Sequence, residues 1–270
     1  MDAMDFRCTP ASQADAEPLA GTAPTDTEWL FVEQPGPWSR DAPSEAGLPD
    51  LPPELAGARV QLIRRHGGAS GPGIRVFHAS LAGRPEVRTA LVDDVAELAG
   101  EVSWSAYDEP LWLVCTNGRR DVCCAELGRP VTAALARRWP EATWETTHLG
   151  GHRFSATLLA LPSGIALGRL DPATALAAVE ELAVDEVPLE HCRGRAGWPA
   201  AAQVADLHLR SVHQLLDLAE VELVAVEGDV VQLRADGAVV ELTMSATTVA
   251  RRQSCADERL KPATSYAVAQ

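Results

Sequence analysis

Three of the six cysteines, Cys115, Cys123 and Cys124, crowd into ten consecutive residues. What such a cluster means depends on where the chain resides. The opening residues Met1-Asp2-Ala3-Met4-Asp5 are acidic and lack the apolar run of a secretory signal. No stretch reaches the roughly 18 continuous apolar residues that span a bilayer. A cytoplasmic protein is expected, and in that compartment disulfides are disfavoured. The crowded cysteines, together with Cys8, Cys192 and Cys255, are then buried thiols, reactive thiols or metal ligands.

The rest of the composition narrows the partners. With 38 acidic against 23 basic residues the formal charge is −15, which repels phosphate backbones and anionic lipid. Neither nucleic acid nor membrane insertion is expected. The 46% apolar and 23% charged content over 270 residues is that of a globular protein with ample core.

The pattern divides into three segments: an α/β segment over 1–104, a second over 105–187, and a helix with an antiparallel meander over 188–270. In the middle segment, Leu111 to Val114 is an apolar strand and the loop from Cys115 to Cys124 follows it. Arg129 to Arg138 then reads as a helix, with Pro130 near its start and arginines at its end. Thr143 to Thr147 and Phe154 to Leu161 read as partnered strands, and Ile165 to Leu170 as another. Asp171-Pro172 caps a closing helix to about Leu182. This β-α-β-β-β-α order predicts an α/β (α+β) fold of thioredoxin-like layout, and residues 29–98 can be laid over it strand for strand as a diverged repeat. After Pro188, a helix is expected from Pro199 to Ala219 with Val204, Leu207, Val212, Leu215 and Leu216 along one side. Three strands joined by turns such as Ala235-Asp236-Gly237 follow.

Cys115 ends a buried strand, Cys124 lies nine positions on, and His148 and His152 bracket Leu149-Gly150-Gly151. The glycines suit a hairpin tip from which both imidazoles point the same way. Two thiolates and two imidazoles suit Zn²⁺ or an iron–sulfur cluster, not Mg²⁺ or Ca²⁺. Zinc knuckles use tight Cys-x(2–4)-Cys spacing, whereas eight intervening residues form a wide loop better suited to a two-iron cluster. Histidines replace two cysteines on one iron of Rieske-type clusters. Cluster, zinc ion and uncoordinated core all remain open on chemistry alone. Arg119, Arg120 and Asp121 read as a solvated turn, or as a charged patch in which an arginine hydrogen-bonds toward a cluster or steers a redox partner. His66, His78, His191, His208 and His213 show no ligand spacing.

The run Leu113 to Gly128, with its Cys115…Cys123-Cys124-Ala125-Glu126-Leu127-Gly128, followed by His148-Leu149-Gly150-Gly151-His152, resembles the sucrase/ferredoxin-like family. Glu17 to Ala23, Glu33 to Trp38, Arg193-Gly194-Arg195 and the tail around Ser254-Cys255 are similar to its signatures. The resemblance implies a thioredoxin-like ferredoxin whose [2Fe–2S] cluster sits on Cys115, Cys124, His148 and His152. The family places its ligand just before Ala-x-x-Gly, which selects Cys124 over Cys123. Cys123 is then a small buried hydrophobe, and Cys8, Cys192 and Cys255 are packing residues.

The function expected is that of a one-electron carrier with unidentified donor and acceptor proteins and no stated oligomeric state. A histidine ligand keeps a second ring nitrogen that titrates, so electron uptake is expected to be proton-coupled. A structural or regulatory Cys2His2 zinc protein is the alternative. No carboxylate pair marks a glycoside hydrolase, and no Cys-x-x-Cys marks a thioredoxin-like reductase, so a non-enzymatic carrier is favoured.

Overall fold

A computed structural model of the chain describes residues 6–68 and 71–269. The first segment opens with a short helix, α1 (Cys8–Ala14), then β1 (Glu28–Glu33), α2 (Ala42–Glu45), β2 (Arg59–Arg64), β3 (Ile74–Ser80), β4 (Glu86–Val92) and β5 (Ser105–Ala106). The second holds β6 (Leu111–Cys115), α3 (Val122–Arg138), β7 (Thr143–Thr146), β8 (Leu158–Leu161), β9 (Ile165–Leu167) and α4 (Pro172–Leu182). The last holds β10 (Cys192–Arg195), α5 (Ala200–His213), β11 (Val221–Glu227), β12 (Val230–Ala235), β13 (Ala238–Arg251) and β14 (Lys261–Val268).

Strands β1 to β10 form one mixed sheet in the order β10-β9-β8-β6-β7-β2-β1-β3-β4-β5. In the second segment β7 is parallel to β6, while β8 is antiparallel to β6 and β9 to β8. That is the thioredoxin-like order the sequence predicts. The first segment repeats it, with β2 parallel to β1, β3 antiparallel to β1 and β4 to β3. The two sets meet where β2 and β7 pair antiparallel, Ile63 opposite Thr146 and Arg64 opposite Glu145. Strand β10, past Val187 in sequence, extends the sheet beyond β9.

Strand alternation explains why both faces are dry. Trp29, Phe31, Ile63, Phe77, Leu113, Trp144 and Leu159 form one cluster that crosses from the first set of strands to the second. Their neighbours face the other way. Trp112, Val114 and Leu158 pack under α3 and α4 through Val131, Leu135, Ala175 and Val179, while Leu30, Val32, Leu62 and Val76 form a separate cluster.

Several boundaries differ from those expected. Helix α3 begins at Val122, not near Arg129, because the Asp121 carboxylate caps it by accepting from Cys123 N. Pro130 sits inside the helix on its exposed side, where a carbonyl left without its helical donor faces solvent rather than the core. The loop after Cys115 is therefore only residues 116–121, and Cys123 and Cys124 lie on the first helical turn. Residues 147–157 are no hairpin: β7 and β8 flank β6 on opposite sides, so the connection crosses over the end of β6. Helix α5 stops at His213, where Gln214 takes a left-handed conformation (φ 56°) that ends it, and Val212 and Leu216 are exposed. The meander has a fourth strand, β14, paired along the second half of a long β13. No helix among the described residues is long and apolar enough to cross a membrane.

Candidate metal centre

The carboxyl end of β6 is where the crowded cysteines resolve into separate roles. Cys115 is the last residue of that strand and is fully buried. The chain turns through 116–121 and enters α3, which brings Cys124 back over it. Gly128, one turn after Cys124 on the same helix face, makes this approach possible. A Cβ there would lie 2.2 Å from the Cys115 carbonyl oxygen. The Ala-x-x-Gly spacing after Cys124 thus has a packing reason, the close seating of α3 on the end of β6.

The crossing segment after β7 supplies the histidines. Its carbonyls are pinned by side chains from distant parts of the chain. Arg59 Nη2 donates to His148 O at 2.9 Å and Thr9 Oγ1 to His152 O at 3.0 Å. Arg193, fully buried, donates through Nη1 to Gly150 O at 3.2 Å and through Nη2 to Thr22 O. Gly151 is left-handed (φ 71°), and a Cβ on it would meet the Arg193 guanidinium at 2.3 Å. Burial pulls the Arg193 pKa down to about 10, since a guanidinium loses hydration there that the carbonyls restore only in part.

Held this way, the Cys115 and Cys124 sulfurs and a His148 ring nitrogen lie within 4.8 Å of one another. His152 Nδ1 is 3.1 Å from His148 Nε2. The Cys124 thiol donates to Cys115, which holds Cys115 well below the ordinary thiol range, while sharing that proton pushes Cys124 up. Burial, and the neighbouring His148, lower His152. His148 Nδ1 and His152 Nε2 are buried yet have no hydrogen-bond partner. Buried imidazole nitrogens without partners are costly unless something else engages the ring. Two thiols and the His148 imidazole converge at one point, with the His152 ring against His148, and that donor set fits a soft or borderline metal.

Of the four residues singled out in the sequence, Cys115, Cys124 and His148 come together, and His152 is next to them only through its contact with His148. Cys123 is not among them. Its sulfur faces away, 3.3 Å from Cys255 Sγ, and hydrogen bonds from Cys255 and Cys8 hold it well below the ordinary thiol range. Arg120 pairs with Asp41 at the surface, whereas Asp121 turns inward and is buried. His78, which shows no ligand spacing in the sequence, contacts Glu28 and Arg88. Sequence reasoning did not single out Arg59 or Thr9, and it noted Arg193 only as part of a signature. None carries a local signal, because each acts on a backbone carbonyl far away in the chain.

The sucrase/ferredoxin-like family profile matches residues 19–194, well over half of the chain. The chain belongs to the sucrase/ferredoxin-like family. The matched span contains every strand of the thioredoxin-like layout and Cys115, Cys124, His148 and His152. It stops short of Cys8 and Cys255 at the two ends. No curated protein and no solved structure matches the chain.

Proposed function

We propose that this sucrase/ferredoxin-like protein holds a [2Fe–2S] cluster on Cys115, Cys124, His148 and His152 and serves as a cytoplasmic one-electron carrier. The observation that carries the reading is two buried thiols and a His148 ring nitrogen within 4.8 Å of one another, with His152 against His148 and one buried, partnerless nitrogen left on each ring. A cluster so held supplies reversible one-electron chemistry, and neutral imidazoles leave it less negative than thiolates alone would.

The chain's own residues set the environment. Leu149, between the two histidines, is buried in the same apolar cluster as Cys115 and Cys124 and keeps water from them. Ser155 Oγ lies 3.6 Å from Cys124 Sγ, within reach of a weak O–H···S bond that withdraws charge from that sulfur. The cysteines are buried, but the histidines are partly exposed, so exchange with a donor or acceptor takes place at the histidine edge. All six cysteines are free thiols, the state a reducing compartment keeps.

The test is to purify the protein anaerobically and measure iron, acid-labile sulfide and visible absorption. Two irons and two sulfides per chain, lost in Cys115→Ser and Cys124→Ser but kept in Cys123→Ser, support the reading. A colourless protein with zinc bound by the same four residues refutes it in favour of a zinc protein.

A further inference from the structure

Cys123 belongs to a second constellation. The N-terminal helix α1 places Cys8 beside it, and the segment between β13 and β14 delivers Cys255, 247 residues away from Cys8 in sequence. Cys255 Sγ lies 3.3 Å from Cys123 Sγ and 3.4 Å from Cys8 Sγ. Asp121 completes the group, its Oδ1 3.1 Å from Cys255 Sγ and 3.5 Å from Cys8 Sγ. The four donor atoms lie within 4.8 Å of one another, and three of the four residues are buried.

We propose that Cys8, Cys123, Cys255 and Asp121 form a second metal site, which binds a zinc-type divalent cation as a structural clip. Several observations point the same way. Ligands at about 2.3 Å from a tetrahedral zinc stand about 3.8 Å apart, so the sulfurs need open by only about half an ångström. The carboxylate is already oriented: Oδ1 accepts from Cys123 N at 3.0 Å and Oδ2 from Cys255 N at 2.8 Å. Backbone donors of this kind fix a ligand while leaving lone pairs free for the ion. Binding displaces the thiol protons to solvent, and no oxidant is involved.

The parts joined here also need joining. Helix α1 has only seven residues and no side-chain cap, too short to persist without tertiary contacts. The outer half of β13 and its partner β14 are largely exposed along their length. A clip between the two chain ends and α3 closes the longest loops available, where a cross-link gains most in principle. The site does not depend on what Cys115 and Cys124 hold, because no ligand is shared. Asp121 Oδ2 does come within 4.0 Å of His152 Nε2, so the two centres are neighbours.

The test uses full-length, reduced, metal-stripped protein carrying Cys115→Ser and Cys124→Ser, titrated with Co²⁺ as a spectroscopic stand-in and then with Zn²⁺. One equivalent of Co²⁺ is expected to give thiolate charge-transfer and tetrahedral d–d bands, displaced by Zn²⁺. Adding Cys8→Ser, Cys123→Ser or Cys255→Ser should weaken Zn²⁺ binding by more than the ~10–100-fold that loss of a supporting partner costs. Zinc X-ray absorption on the iron-loaded wild type needs no variant and should show three sulfurs and one lighter atom. Absence of tetrahedral bands, a zinc shell with fewer than three sulfurs, or a Cys123–Cys255 disulfide in the untreated protein overturns the proposal. Failure of the cluster reading alone looks different: the Cys115 and Cys124 variants then lose zinc rather than iron, while this site still fills.

Discussion

Replacing Gly128 by alanine should damage the candidate centre through packing alone. The added Cβ would sit 2.2 Å from the Cys115 carbonyl oxygen and 3.3 Å from its carbonyl carbon. Carbon–oxygen contacts normally settle at about 3.3–3.6 Å, so α3 must back away from the end of β6 by about 1 Å. Neither obstacle is a side chain that can rotate aside. Overpacking of this kind costs about 3 kcal/mol at the upper end of the usual range. Alanine returns about 1 kcal/mol through its better helix propensity, leaving a net loss of about 2 kcal/mol. For a chain of this size that lowers Tm by about 4–8 °C. Cys124 is carried on the same face one turn earlier, so the displacement also separates it from Cys115 and weakens metal retention. Urea denaturation with far-UV circular dichroism measures the first effect, and competition with a chelator the second. Gly57→Ala, where a Cβ meets nothing, is the control and should be neutral. A Gly128→Ala protein as stable as the wild type would show that helix propensity wins and that the close seating of α3 is not required.

Three further outcomes follow from the same geometry. Arg193→Lys should cost about 2–4 kcal/mol and loosen metal binding, because a lysine cannot serve both Thr22 O and Gly150 O and leaves buried carbonyls unpaired; unchanged denaturation and chelator resistance would contradict this. Burial alone would raise the Glu145 carboxyl, but hydrogen bonds from Arg64 and Thr116 outweigh it and hold the group below 4.5. Its contribution to stability is then complete above pH 4.5 and lost as pH falls through the lowered value, and Glu145→Gln should flatten that acid-side slope in pH-dependent urea melts. An unaltered slope would assign the acid sensitivity elsewhere. If the cluster reading holds, the midpoint potential should fall as pH rises, by up to about 59 mV per unit, as reduction raises the affinity of a histidine's outer nitrogen for a proton. His148→Cys or His152→Cys, with the cluster kept, should lower and flatten that line; a wild-type potential constant from about pH 6 to 10 would deny the histidines this role.

The strands were legible because alternation and apolar runs are local signals. Trp29 to Val32 and Leu111 to Val114 announced themselves as buried strands, and Asp171-Pro172 announced a helix start. The start of α3 was misread because Pro130 was taken as a first-turn proline, while the capping aspartate at 121 was read as part of a charged patch. Strand β14 escaped because Lys261 to Val268 is mostly polar or small and largely exposed, paired along one side of β13. The meeting of Cys115, Cys124 and His148 was legible because both the cysteine pair and the histidine pair lie in one segment. The Cys8–Cys123–Cys255 grouping was not, since nothing local in a lone Cys8 or Cys255 indicates what folds against it.

The pairing of β2 with β7 has a consequence for what half of this chain would do. Each strand is the second of its set and would be an open edge if the set stood alone, a row of unpaired backbone donors and acceptors inviting association. Here each closes the other. Antiparallel pairing of corresponding strands is also the contact that a two-fold axis produces, the isologous interface of a homodimer. A single thioredoxin-like set with this edge would complete its sheet with a second copy of itself, and the linked chain holds that dimer within one molecule. The paired cysteines and histidines lie in one of the two sets, and the other lends Arg59 to hold the His148 carbonyl in place.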